Sequence, residues 1–233
     1  MKKMEFIQSF INYNIEKLMN SAIIVAAGKG SRLVNNSPKQ FMKLNQDKTI
    51  LDFSIEAFKK NKFIHEIIIV TNSNWIEKIQ DKYQTCKVIK GGKSRSESSF
   101  IGLNECNEKC KNVLIHDAAR PFVTQKIINE CINNLEKYHA VIPTLIPYDS
   151  LLDIDNNKQY LNRDKIRIVQ TPQAFNYKKI LNAYNNNNNN IKNDDMSVLL
   201  EYDIDVNKIF IKGDRLNFKI TDKIDFDIAR KLV

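Results

Sequence analysis

Two rhythms of hydrophobic and polar positions run along this chain. Short apolar runs, several rich in β-branched residues, fall in the first half of 21–40 and at 67–70, 87–90, 113–116, 140–146 and 206–211, and their length predicts buried strands. Between them, residues 50–60, 75–83, 94–105 and 224–232 predict helices, and Ile127, Ile128, Cys131, Ile132 and Leu135 mark one face of another. Strands alternating with helices imply parallel pairing through right-handed crossovers. The expected fold is α/β, a three-layer sandwich with a mostly parallel, Rossmann-like sheet.

After Pro147 the rhythm changes. Residues 149–164 are polar and carry the turn-forming run DIDNNK, and a strand-like stretch follows at 166–169. A β-arm leaving the main sheet over about 148–170 fits this pattern. The QTPQ run beyond it reads as a turn, and the six asparagines at 185–190 bury nothing apolar and predict a mobile surface loop. At the other end, Phe6, Ile7, Phe10, Ile11, Ile15 and Leu18 recur at helical spacing, which predicts a helical extension over 1–20 ahead of a single domain at 21–233. Glu5, Gln8, Asn12, Asn14 and Glu16 interrupt that stretch, so it does not read as an export signal. No segment has the ~20 apolar residues of a membrane span.

Composition narrows the partners. The 42% hydrophobic content suffices for a sizeable core, and a net charge of +9 favours an anionic partner: nucleic acid, a membrane surface or a phosphorylated small molecule. The lysines are dispersed rather than interleaved with aromatic residues on one face, which argues against nucleic acid. Cys86, Cys106, Cys110 and Cys131 are expected as free thiols in a reducing, cytoplasmic setting, with Cys106 and Cys110 on one helical face.

The chemistry gathers at predicted strand ends, where ligands collect in parallel α/β sheets. SAIIVAAGKGSRLVNNSPKQ runs from the first strand into a loop with two glycines and the cations Lys29, Arg32 and Lys39, suited to a phosphate. Arg32 stands where a dinucleotide-binding fingerprint would have its third glycine, which demotes an NAD-dependent oxidoreductase. GGKSRSES ends the third strand and HDAARP the fourth. Arg32, Lys39, Arg163 and Lys219 are candidates to gather around phosphates, and Asp117 offers a hard oxygen ligand for Mg²⁺. With no Ser–His–Asp or Cys–His arrangement in a supporting context, nucleotidyl transfer to a phosphate acceptor fits best.

AAGKGSR with PKQ, then GGKSR, HDAARPF, QTPQAF, DD-x-S and N-F-K-I-T together resemble the 2-C-methyl-D-erythritol 4-phosphate cytidylyltransferases of the non-mevalonate isoprenoid pathway, in order from about Ser21 onward. The resemblance implies that Ala26, Ala27, Gly28, Gly30 and Ser31 line a CTP site, with Arg32 and Lys39 on its triphosphate. It implies that Gly91, Gly92, Arg95 and Ser98 recognise the cytosine side, that Asp117 serves Mg²⁺ and the ribose, and that Lys219 serves the α-phosphate. Arg120, Ser150, Arg163 and Thr171 would shape the acceptor pocket. In the family the arm exchanges between subunits, so a homodimer is implied, with Arg163 reaching the partner's site.

Three departures from the family pattern stand out: Lys93 where an acidic or small residue often follows the second glycine, Asn193 and Met196 around the DD-x-S run, and Ser150 in place of threonine. The closely similar ribitol 5-phosphate cytidylyltransferases share the loop, PKQF, RPF and QTPQ, so ribitol phosphate is the alternative acceptor. A basic nucleic-acid-binding protein or a non-catalytic nucleotide-binding scaffold is the alternative of another class.

Overall fold

The structure, a computed structural model, describes residues 19–28, 38–155, 159–187 and 194–233. The expectations for residues 1–18, for Lys29, Gly30, Ser31 and Arg32, for part of the DIDNNK turn and for the end of the asparagine run lie outside them.

The strands are β1 (Met19–Ala26), β2 (Glu66–Thr71), β3 (Lys87–Lys90), β4 (Cys110–Asp117), β5 (Ala140–Leu145), β6 (Leu152–Asp153), β7 (Gln159–Tyr160), β8 (Ile168–Val169), β9 (Gln173–Asn176) and β10 (Lys208–Lys212). The helices are α1 (Ile50–Lys59), α2 (Ile76–Lys82), α3 (Arg95–Asn104), α4 (Gln125–Asn134), α5 (Tyr177–Asn185), α6 (Asp195–Tyr202) and α7 (Lys223–Lys231). The main sheet runs β10-β5-β9-β4-β1-β2-β3, with β8 added beside β5. Alternate residues of each strand face opposite layers. Ala22, Ile24 and Ala26 of β1 join Leu51, Ile55 and Phe58 of α1 and the apolar face of α4 in one core. Ile23, packed with Leu103 of α3, Ile180 of α5 and Leu199 of α6, belongs to the other. The expected three-layer α/β sandwich is therefore observed.

Parallel pairing holds for β1 with β2 and β4, for β2 with β3 and for β10 with β5. It fails at β9, which lies antiparallel between β4 and β5, and at β8. QTPQ is thus more than a turn: its last residue opens a central strand, directly after the cis peptide bond Thr171–Pro172. Gln173, Ala174 and Phe175 are all buried there, a run too short to advertise itself by periodicity. The asparagine run leaves the helix as predicted, with Asn185 the last residue of α5 and Asn186 and Asn187 beyond it; the amphipathic face of α5 is held by Ile180, Ala183 and Tyr184. β1 begins at Met19, two residues inside the expected extension. Cys106 and Cys110 do not share a helical face, because α3 ends at Asn104 and Cys110 opens β4. All four thiols are free.

Leu152 pairs with Tyr160 and Asp153 with Gln159 in a two-stranded ribbon outside the main sheet, within the expected arm. Among the described residues no helix is long and apolar enough to cross a membrane.

Candidate active site

Chain order dictates where the site forms. The chain runs from β1 outward to β2 and β3, then returns to place β4 on the other flank of β1. At such a switch point the connections leave the sheet in opposite directions and open a crevice beyond the carboxyl ends. A cleft of about 1040 Å³ lies there, lined by the residues after β1, β3 and β4 together with Lys39 and Lys219.

The β1 wall consists of Ala26, Ala27 and Gly28. Buried Gln40 holds it from behind, donating from Nε2 to the carbonyls of Ala26 at 2.6 Å and Gly28 at 2.9 Å. The Lys39 ammonium donates to the Ile220 carbonyl at 2.6 Å, which joins this wall to the C-terminal loop.

The β3 wall consists of Gly91 and Gly92; space requires glycine at 91, while at 92 a side chain would displace that of the exposed Glu97. A Cβ on Gly91 would come within 2.4 Å of the Ala27 Cβ, and one on Gly92 within 2.3 Å of the Glu97 side chain. Ser98, 1% exposed, accepts from the Gly92 N–H and donates to the Ser94 carbonyl, so its proton is already committed. Ser98 can therefore only accept any further hydrogen bond. Ser94 caps α3 by accepting from the Glu97 N–H.

The floor is a charge cluster centred on Asp117, the last residue of β4. Its Oδ1 lies 2.7 Å from Arg95 Nε, its Oδ2 2.8 Å from Lys219 Nζ and 4.0 Å from Arg120 Nε. Burial alone would raise the Asp117 carboxyl, but Arg95 and Lys219 outweigh it and hold the group well below the usual carboxylate range. Burial likewise opposes the charge on Arg95, and Asp195 and Asp117 override it. Arg95 Nη2 lies 2.8 Å from Asp195 Oδ2, and the fully buried Asp195 also accepts from the Tyr184 hydroxyl at 2.7 Å. Asp195 opens α6 behind the N-cap Asp194, whose capping box with Ser197 fixes the turn.

Every candidate nucleotide-binding residue within the described stretches, namely Ala26, Ala27, Gly28, Lys39, Gly91, Gly92, Arg95, Ser98, Asp117 and Lys219, lines this one cleft. The acceptor candidates behave differently. Arg120 is mostly buried, with Nη1 donating to the Asn217 carbonyl at 2.8 Å, and burial lowers its pKa against the pull of Asp117. Thr171 is 4% exposed. Ser150 and Arg163 belong to the arm, where Arg163 donates to the Tyr148 carbonyl and does not line the cleft. Reasoning from sequence singled out the PKQ and DD-x-S runs but gave no role to Gln40 or Asp195, and it missed Tyr184 altogether. Apart from the motif, Asp195 shows only as the second of two adjacent acids ahead of an apolar run, a pattern shared by ordinary helix starts.

A glycine-lined wall, a cationic floor and a switch-point cleft define a nucleotidyltransferase of the α/β class. A family model, "IspD: 2-C-methyl-D-erythritol 4-phosphate cytidylyltransferase", matches residues 20–233, and the chain belongs to that family. It is 38% identical over 226 residues to the 2-C-methyl-D-erythritol 4-phosphate cytidylyltransferase of Clostridium botulinum (strain Langeland), covering 92% of this chain and 97% of the relative. To the enzyme of the same name from Caldicellulosiruptor bescii it is 34% identical over 220 residues, covering 91% and 96%. The crystal structure of 4-diphosphocytidyl-2C-methyl-D-erythritol synthase from Anaerococcus prevotii superposes with a TM-score of 0.82 at 28% identity, covering 94% of this chain and 97% of that one.

Proposed function

We propose that this chain joins CTP to 2-C-methyl-D-erythritol 4-phosphate, giving the CDP-alcohol and pyrophosphate, as a cytoplasmic enzyme. The observation that carries the chemistry is that candidate residues scattered from Ala26 to Lys219 line one cleft around a buried, ionised Asp117. The acceptor follows from relatives of that name matching over nearly their whole length.

An oxygen of the acceptor phosphate forms a bond to the α-phosphorus of CTP, the bond from that phosphorus to the bridging oxygen breaks, and pyrophosphate leaves with the electron pair. A phosphate monoester is largely ionised near neutrality, so no general base is needed. Catalysis then rests on alignment and on cations aimed at the charge that develops. Arg32 and Lys39 hold the triphosphate, Lys219 holds the α-phosphate region, and the Gly91–Gly92 wall with Arg95 and Ser98 receives the cytosine side. Arg120, Ser150 and Thr171 shape the acceptor pocket.

Asp117 offers Mg²⁺ one carboxylate, and both its oxygens meet cations here, Oδ1 Arg95 and Oδ2 Lys219, so the ion would take the place of one of these partners. Among the described residues no group of three or more metal-ligating side chains is present, and Mg²⁺ characteristically takes one or two carboxylates and completes its shell with phosphate and water. Asp117 would hold it together with the triphosphate, where it would neutralise phosphate charge.

A homodimer completes the reading. The arm exposes Tyr148, Ile154 and Tyr160, each more than 70% accessible, an apolar display that suits a second copy of the chain. Arg163 then acts in the partner's cleft. Mass analysis of the product from CTP and methylerythritol phosphate tests the function: CDP-methylerythritol is expected, and unchanged CTP would refute it.

A further inference from the structure

His116 precedes Asp117 and is fully buried, with its ring 5.1 Å from that of Phe58. Its Nε2 lies 3.0 Å from the Arg120 carbonyl oxygen and its Nδ1 3.2 Å from Thr171 Oγ1. A carbonyl can only accept, so Nε2 carries a proton, and in the neutral ring, the form that complete burial favours, Nδ1 is left as an acceptor. The Thr171 hydroxyl must then donate to Nδ1. The same oxygen accepts the Asp117 backbone N–H at 3.0 Å. One imidazole therefore spans the end of β4, the turn after it and the Thr171–Pro172 corner.

We propose that His116 is a positioning residue of this site, fixing Asp117 through Thr171 and Arg120 through its carbonyl. The proposal rests on the cytidylyltransferase reading for its consequence in turnover and on the hydrogen-bond inventory for its geometry. It also sharpens the part played by Thr171. With its proton given to His116, Thr171 has nothing to donate to a phosphate, and toward the acceptor it can only receive a hydrogen bond from a sugar hydroxyl.

The two halves of the ring can be separated. Gln at 116 carries a donor near the Nε2 position and serves the Arg120 carbonyl; Asn carries its acceptor near the Nδ1 position and serves Thr171. Thr171→Val removes the hydroxyl that joins His116 to Asp117, and Thr171→Ser keeps it.

The test uses the full chain labelled with ¹⁵N-histidine. Long-range ¹H–¹⁵N correlation at neutral pH should show one histidine, absent from His116→Gln, as the neutral Nε2–H tautomer. Kinetics with CTP, Mg²⁺ and methylerythritol phosphate should show kcat for Thr171→Val lowered roughly 10- to 100-fold, most of it restored by Thr171→Ser, with the folded spectrum retained. His116→Asn and His116→Gln should each lose part of the rate. An Nδ1–H tautomer or an imidazolium would overturn the proposal, as would wild-type kcat in Thr171→Val. Should the unmodified chain release no pyrophosphate, the activity reading is lost while the tautomer still decides the assignment of His116.

Discussion

Lys219 Nζ lies 2.8 Å from Asp117 Oδ2, so the C-terminal loop and the end of β4 meet through one ion pair at the floor of the cleft. Asp117 is buried while the lysine is 40% exposed, so the pair sets a solvent-facing cation against a buried anion. Lys219→Ala should lower kcat by roughly 10²- to 10³-fold, the scale of removing a group that stabilises transition-state charge. The melting temperature should fall only modestly, since the buried Asp117 keeps Arg95 and Arg120 as cationic neighbours. Steady-state kinetics beside a thermal melt checks both; an unchanged kcat would remove Lys219 from the reaction.

Lys39 should behave alike. It donates to the Ile220 carbonyl and lines the cleft. Lys39→Ala should reduce turnover by orders of magnitude at a stability cost of about 1–2 kcal/mol. A fully active variant would sink the nucleotidyl-transfer assignment.

Asp195 reaches no substrate on this reading, yet it anchors Arg95. Asp195→Asn leaves the Arg95 guanidinium less compensated in a buried setting, and loss of one partner from such a pair costs about 3–5 kcal/mol. Chemical denaturation should show a marked drop in midpoint. Tyr184→Phe, which removes only the hydroxyl that donates to Asp195, should cost less, about 1–2 kcal/mol. Equal and negligible effects would contradict the anchoring role.

Stability should fall in two stages on acidification. Burial pushes His116 down to about 4 from 6.5; the hydrogen bond to the Arg120 carbonyl and the Asp117 charge oppose the shift, and the charges of Arg120 and Arg95 reinforce it. The unfolded chain therefore binds the extra proton between about 6.5 and about 4, and stability declines as pH falls through that window, by on the order of 3 kcal/mol. Below about 3.8 the unfolded chain also protonates Asp117 and Asp52, which the fold holds ionised below that value, so stability goes on falling. Thermal melts from pH 8 to pH 3 read the first stage and the onset of the second, and His116→Gln should flatten the first.

The fold was largely legible because most strands are apolar runs buried on both faces, as Ile67, Ile68, Ile69 and Val70 show. β9 was not, since it has only four residues and follows a proline. The walls of the cleft were legible from glycines and cations at strand ends. Its supports were not, because the partners of Arg95 and His116 lie 100 and 55 positions away, at Asp195 and Thr171, and come together only through the sheet order. Lys93, the departure in the β3 wall, binds Glu97 through its backbone N–H at 2.6 Å, so its side chain is not needed there.

If the arm carries Arg163 into the partner's cleft, subunits crippled in different ways should rescue one another. Arg163→Ala and Lys39→Ala are each expected to be weak alone. Co-expressed as mixed dimers they should regain activity, because one of the two sites then carries neither change. Absence of recovery in dimers verified by mass would place Arg163 outside the partner's site.

The most direct measurement is pyrophosphate release from CTP and Mg²⁺ with methylerythritol phosphate, with ribitol phosphate and with no acceptor, side by side. Release with methylerythritol phosphate alone is expected. Release with ribitol phosphate alone would contradict the assigned acceptor, and silence with both would contradict the assigned chemistry.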